Sequence, residues 1–446
     1  MYISDFSLND FRSYSQVVLH FEPGVITLVG ANGQGKTNLV EGIEYLSTFN
    51  SHRVAADAAL VRQGADAAVV RARVNDENHS SLLELEILAG RANRARLNRG
   101  SVRPAEILGM VRTVVFAPED LALVAGDPGT RRRFLDNLMV QKFPRMRAVK
   151  ADYEKVLRQR AALLKNIGKM RRRRAPYDLT ALDIWDQQLV ELGTQIIHVR
   201  AEIIEQLSAP VERYYREVSA DKHVLAHIEY QANIAHTGGW LGDKNTVREA
   251  FIAALSEKRE REIEAGINLV GPHRDDMQLS LGSLPAKGYA SHGESWSYAL
   301  ALKLACWDLL RSGEWGSWNE HSEPILILDD VFAELDFHRR ERLVSLIESA
   351  EQVFVTAAVG DDLPESLKGT QYIVKTGTVT PVAELSVTGR STEVADTGTA
   401  DVSETPSSAV NSDHSASVRA AEATQQPMCQ PIQLMQPTSL AGEHDE

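Results

Sequence analysis

Cysteine is nearly absent from this chain, with two in 446 residues, Cys306 and Cys429. Two such positions build neither a disulfide framework nor a metal-ligand spacing. Cys306 sits among apolar residues of a helix-like stretch and reads as core, which points to a reducing, cytoplasmic setting. Long apolar runs are missing as well. Charges break every run short of the roughly 20 residues that a membrane span needs. The opening Met1-Tyr2-Ile3-Ser4-Asp5 has no basic segment leading into an apolar one, so no secretory signal is read there. The histidines are scattered without ligand spacing, and no internal repeat is visible.

What is present is a chain of two or three domain-sized units, 43% apolar and therefore largely globular. Its net charge of −13 argues against a nucleic-acid partner only until the distribution is read. Residues 131–174 hold 16 Lys/Arg against three acids, a local +13. From residue 388 onward nine acids face two arginines, and the composition turns to Ser, Thr, Ala, Glu and Gln. Too little apolar surface remains there to offset chain entropy, so residues 388–446 are expected to be a disordered tail. A basic segment inside an acidic protein is an electrostatic footprint for phosphate, an acidic protein partner being the alternative. Arg171, Arg172, Arg173 and Arg174 are its densest run and the candidate DNA contacts.

Val25–Val29 is β-branched and apolar and predicts a buried strand, followed by a glycine-rich turn and a helical run from Asn38 to Ser47. Residues 67–99 alternate apolar and polar, as antiparallel strands do, and 111–116 is a further short strand. Between about 130 and 217 the pattern is that of long charged helices, broken at Arg171–Pro176 because proline ends a helix. Residues 222–233 read as strand, 246–264 as helix, 325–328 as strand, 338–350 as helix and 353–356 as strand.

The chemistry lies in two of these junctions. Gly30-Ala31-Asn32-Gly33-Gln34-Gly35-Lys36-Thr37 matches G-x-x-x-x-G-K-[ST] in full, between a predicted strand and a predicted helix. Its backbone N–H groups and the helix N-terminus favour phosphate oxygens. Lys36 is expected on the β/γ-phosphates and Thr37 on Mg²⁺. The partner half is Ile325-Leu326-Ile327-Leu328-Asp329-Asp330, an all-aliphatic strand of the kind buried on both faces, ending in two acids. Asp329 is expected to hold the metal, and Asp330 to act as general base or to orient water. Nearly 290 residues separate the halves. Such a distance points to an ATPase core split by an insertion.

Ser291-His292-Gly293-Glu294 upstream of the acidic strand resembles the signature of ABC-type ATPases, and Ala333-Glu334-Leu335-Asp336 after it is similar to their D-loop. Leu8 to Tyr14, Ser51-His52-Arg53, Phe116 to Leu121, Val124 to Pro128, Arg131 to Asp136 and Gly271 to Asp276 are similar to blocks of the RecF family within the SMC/RecF group. The resemblance covers roughly residues 1–380. It implies an α/β fold: an ABC-type P-loop ATPase head with an inserted, mainly helical second lobe. The expected division is 1–125 for the first part of the head, 126–265 for the helical lobe, 266–387 for the rest of the head and 388–446 for the tail.

The resemblance further implies ATP and Mg²⁺ as ligands and ATP-dependent homodimerisation on single- and double-stranded DNA. It also implies weak, DNA-stimulated hydrolysis as a switch, and work with RecO and RecR to load RecA in recombinational repair. Lys36, Ser291 and Asp330 are then the catalytic candidates, and Thr37 and Asp329 the metal ligands. The nucleotide contacts are Gly30 to Asn38, Arg53, Ser291, Gly293, Asp336 and Thr356. Departures are visible: Glu294 where the signature has Gln, Asp330 where many such proteins have Glu, and Val355-Thr356-Ala357-Ala358 without the switch histidine. No Gln marks a Q-loop, although Glu119 lies nearby. Arg131 to Arg133 fit either DNA or a lobe interface. His273 and Arg274 fit either a ligand role or a structural turn. The alternatives of another class are a transport-type ABC subunit, against which the basic insertion speaks, and a nuclease-linked ATPase, for which no second acidic cluster is found.

Overall fold

The computed structural model describes residues 1–382 except 55, 77–78, 220–222, 235–240, 312–322 and 361–362; the expected tail lies outside the described residues. Strands β1 (Tyr2–Phe11) and β2 (Tyr14–His20) form a hairpin, and β3 (Gly24–Val29) leads into helix α1 (Lys36–Thr48). Next come β4 (Ala67–Asn75), β5 (Ser80–Leu88), β6 (Arg94–Leu97), β7 (Gly100–Val102), the short helix α2 (Pro104–Ile107), β8 (Thr113–Phe116) and α3 (Leu121–Ala125). The helical stretch is α4 (Pro128–Lys142), α5 (Met146–Arg172) and α6 (Thr180–Val218), followed by β9 (Ala226–Gln231) and α7 (Lys244–Ala265). The chain then returns through β10 (Asp276–Leu281), β11 (Leu284–Pro285), α8 (His292–Arg311), β12 (Ile325–Asp329), α9 (Phe337–Ile347), β13 (Gln352–Ala357), β14 (Thr370–Lys375) and β15 (Thr378–Pro381).

Three sheets organise these elements. An antiparallel sheet runs β2-β1-β4-β5-β6-β7, a small one β11-β10-β9, and the third β15-β14-β3-β13-β12-β8. In the third, β8, β12, β13, β3 and β14 are parallel and only β15 is antiparallel. Side chains alternate across a strand, so each parallel strand feeds two cores. Leu326 and Leu328 of β12 join the core built by the long helices, whereas Ile325 and Ile327 join the core under α1 and the antiparallel sheet. The unbroken aliphatic run of β12 follows from this two-sided burial.

Strand pairing joins segments on either side of the expected divisions. β8, from the N-terminal part, pairs directly with β12, and β9 pairs with β10 across the 265/266 division. The 39-residue α6 packs along α8 and carries Pro210 inside it, a helical proline that local sequence pattern does not announce. Buried ion pairs tie the helices together. The fully buried Arg160 of α5 donates to Asp186 of α6 at 2.6 Å, Glu262 of α7 at 2.5 Å and Asn268 at 2.7 Å. Losing one partner from such a set leaves a buried charge uncompensated, a cost of about 3–5 kcal/mol.

Candidate functional site

The glycine-rich segment Gly30–Thr37 spans the end of β3 and the first turn of α1. Gly35 caps the helix at φ 114°, a conformation that side chains resist. Gly30 passes so close to the Val374 carbonyl that a Cβ there would collide with it. Lys36, 3% exposed, curls back into its own loop: Nζ donates to the Gly30 carbonyl at 2.8 Å and lies 3.5 Å from the Ala31 carbonyl and from Asn32 Oδ1. The loop is pinned from outside. Gln34 Oε1 accepts from Thr376 N at 2.7 Å, and Tyr14 OH donates to the Gly35 carbonyl at 3.0 Å.

The strand order β3-β13-β12 places β13 between the strand that leads into the glycine-rich segment and the acidic strand end, with Thr356 in register with Asp329. Thr37 Oγ1 donates to Asp329 Oδ1 at 3.1 Å. The Thr356 hydroxyl donates to the same Asp329 oxygen at 2.7 Å and accepts from the Asp330 N–H at 2.9 Å. Asp330 takes φ 51°, a left-handed turn that lifts it out of the strand immediately after Asp329. Burial pushes the Asp329 carboxyl above its usual range, against the Thr356 hydrogen bond and with help from Asp330. A hydroxyl and a carboxylate converging at this distance form a donor set that suits a small divalent cation.

The N-terminal hairpin braces α1. Arg12 forks onto the fully buried Glu41 at 2.8 and 2.5 Å, and Ser51 Oγ donates to the same carboxylate at 2.5 Å. Arg53 Nη1 reaches Asn38 Oδ1 at 2.9 Å and Glu41 Oε2 at 3.5 Å, so it lies beside α1 directly behind the loop. His52 Nδ1 meets Glu44 Oε2 at 2.5 Å. Burial opposes its protonation, but Glu44, with Glu119 and Asp329 further off, raises it to about 8.

Elsewhere, the signature segment opens α8. Ser291 N donates to Glu294 Oε2 at 2.8 Å, and Glu294 N donates to Ser291 Oγ at 3.3 Å. This reciprocal cap answers the question of Glu294: its carboxylate turns back onto the loop that carries it. Asp336 caps α9, accepting from Arg339 N at 3.0 Å. His273 and Arg274 belong to a structural turn. His273 Nδ1 pairs with Tyr153 OH at 2.9 Å, and Arg274 Nε donates to the Asn268 carbonyl at 2.9 Å.

The basic stretch proves heterogeneous. Arg131 is buried and grips Asp276 through two bonds of 2.7 and 2.8 Å, Arg160 is sealed inside the helices, and Lys150 is paired with Glu154. Part of the local +13 is therefore cancelled by acids distant in sequence. Arg171, Arg172, Arg173 and Arg174 stay exposed at the end of α5, with Arg171 paired to Glu260 and Arg172 Nε on the Gly168 carbonyl. Cys306 is buried, and burial pushes its thiol up to about 12. Among the described residues no helix is long and apolar enough to cross a membrane.

Sequence reasoning missed Arg12, Glu41, Glu44 and Arg339. Their side chains reach partners up to 47 residues away, a distance no local motif spans. Arg12 alone carried a signal, inside the N-terminal block.

Comparison with known proteins places these features in company. The family model described as the RecF/RecN/SMC N-terminal domain matches residues 2–375. A DNA replication and repair protein RecF of Streptomyces avermitilis is 52% identical over 384 residues, 85% of this chain and 99% of that protein. A solved structure described as the recombination mediator protein RecF with ATPrS, in the RecFOR pathway, superposes with a TM-score of 0.75 at 27% identity, covering 85% of this chain and 98% of the other. A second, described with ATP, superposes at 0.71 and 27% identity, covering 85% and 99%.

Proposed function

The chain belongs to the RecF family of DNA replication and repair proteins, within the wider family of RecF/RecN/SMC N-terminal domains, and from that premise we propose that it is a DNA-bound ATP switch. It binds ATP in the loop Gly30–Asn38, dimerises in the ATP state, and releases when the nucleotide is hydrolysed. The observation that carries this reading is the convergence of Thr37 and Asp329, with Thr356 linking Asp329 to Asp330. The solved relatives described with ATP and ATPrS support it.

Lys36 exchanges its loop carbonyls for phosphate oxygens when ATP enters. Thr37 and Asp329 would hold a Mg²⁺ ion, which would supply positive charge to offset that of the phosphates. Asp330 orients the attacking water, or takes its proton, as the bond from the γ-phosphorus to the bridging oxygen breaks to give ADP and phosphate. Arg53 steadies Asn38 and the first turn of α1 behind the phosphates. The Ser291 loop closes over the γ-phosphate of a second copy. The N–H groups of His292 and Gly293, in the first turn of α8, have no carbonyl behind them in the helix and are available as donors. Asp336, at the start of α9, lies at the same interface. A closed two-fold dimer then sandwiches two nucleotides.

The exposed arginines Arg171 to Arg174 serve DNA phosphates without reading sequence, on single or double strands. RecR, RecO and RecA are the partners this role entails, in DNA repair, replication-fork maintenance and the SOS response inside the cytoplasm. The direct test is Lys36→Ala. Equilibrium binding of a fluorescent ATP analogue should be lost, together with ATP-dependent dimers; normal dimers in that variant would reject the switch.

A further inference from the structure

The space that a side chain on Gly293 would take is held by a guanidinium. A Cβ on Gly293 would stand 2.7 Å from Arg339 Nη2, 3.3 Å from its Cζ and 3.4 Å from Nη1. Arg339 sits in the first turn of α9. Its Nε donates to Ser297 Oγ of α8 at 2.9 Å, and its Nη1 is bound to the Asp336 carboxylate. One side chain therefore ties the start of the signature helix to the end of the D-loop-like segment. Among the described residues, Nη2 makes no hydrogen bond; this unspent nitrogen is the one nearest Gly293. The side chain is only 18% exposed, so the charge is held in place by its surroundings.

The chemistry of the loop calls for such a charge. The segment brings Glu294 with it, and a carboxylate approaching a γ-phosphate raises the energy of the closed state. The Ser291 cap turns that carboxylate back but leaves its charge in place. A guanidinium beneath Gly293 offsets it, and is fixed before closure, so little reorganisation is needed when the phosphate arrives.

We propose that Arg339 acts in trans: from beneath Gly293 it presents positive charge and the free Nη2 donors to the γ-phosphate of ATP bound by a second copy of this chain. The proposal rests on the reading of the Ser291 loop as the cap on a partner's nucleotide. It separates Arg339 from the groups that serve their own nucleotide, Lys36, Thr37, Asp329 and Asp330.

The test uses full-length chains and DNA-stimulated ATP turnover. Arg339→Gln keeps a polar side chain and removes the charge, whereas Arg339→Lys keeps the charge. Turnover should fall by about tenfold or more in the glutamine variant. It should fall far less in the lysine variant, while ATP affinity of the isolated chain changes in neither. Equal losses in both would mean that shape alone matters and would overturn the proposal.

Mixing then decides between own and partner nucleotide. Lys36→Ala chains mixed one to one with Arg339→Gln chains give mixed dimers carrying one intact site. Turnover should rise well above that of either variant assayed alone, since only the mixed pair has one of its two sites complete. Ser291→Arg chains mixed with Lys36→Ala serve as the reference. Recovery with Ser291→Arg but not with Arg339→Gln would show that Arg339 serves its own nucleotide and would refute the inference. Recovery with neither would reject the two-copy site itself, and Arg339's role with it.

Discussion

Replacing Thr356 by Val removes one hydroxyl and keeps the shape, and the structure gives the cost. Thr356 is 1% exposed; its hydroxyl donates to Asp329 Oδ1 at 2.7 Å and accepts from Asp330 N at 2.9 Å. The first bond is to a carboxylate and contributes roughly 1.5–3 kcal/mol, while breaking the second leaves an N–H unsatisfied at a cost of about 1–3 kcal/mol. Allowing for relaxation and for the intact Thr37 bond to Asp329, the nucleotide-free protein should lose about 3 kcal/mol. Urea unfolding at pH 7, followed by tryptophan fluorescence, measures this as a lower midpoint with an unchanged slope. Turnover should drop as well, because Asp330 loses the anchor that fixes its left-handed turn. A stability loss below about 1 kcal/mol would refute the bridging role of Thr356.

Asp330→Asn should leave ATP binding intact and lengthen the lifetime of the ATP-bound dimer, seen by size-exclusion chromatography; wild-type turnover would remove Asp330 from its role. Reversing the charge at Arg171 to Arg174 should weaken DNA binding and flatten its dependence on salt, by about one unit of slope for each DNA phosphate no longer neutralised. An unchanged slope would move the DNA surface elsewhere. Stability should peak near pH 6.5, the ordinary histidine value, because two histidines pull in opposite directions. His52 is raised to about 8 by Glu44 despite its burial, so its contribution is complete below pH 6.5 and lost as pH rises through 8, about 2 kcal/mol in all. His273 is lowered to about 4 by burial and the nearby arginines, so its contribution is complete above pH 6.5 and fades as pH falls towards 4, about 3 kcal/mol. His52→Gln should flatten only the alkaline limb of a chemical-denaturation series across pH.

Much of the fold was legible because its determinants are local. The aliphatic run at 325–328, the alternation across 67–99 and the breaker at Pro176 each act over a few residues, and β12, β4 to β6 and the α5–α6 break follow them. The glycine-rich turn between β3 and α1 was legible for the same reason, since its residues are contiguous and Lys36 and Thr37 open the helix. What local pattern cannot show is which distant acid neutralises a given arginine. Arg131 with Asp276 and Arg160 with Glu262 turn two cations of the basic stretch into internal ties. The helical reading to about 217 holds through Pro210, because packing against α8 sustains a helix that propensity alone would break. Arg339 stayed unread because its meaning lies in Gly293, which is 46 positions earlier in the chain and adjacent in space.

The most direct measurement is the mass of the protein in solution by analytical ultracentrifugation, with saturating ATP and Mg²⁺, for the wild type and Ser291→Arg. The wild type should run as a dimer with ATP and a monomer with ADP. Ser291→Arg should stay monomeric while binding ATP as tightly as the wild type. A wild-type monomer fully loaded with ATP, or a Ser291→Arg dimer of normal strength, would contradict a nucleotide site completed by a second copy of the chain.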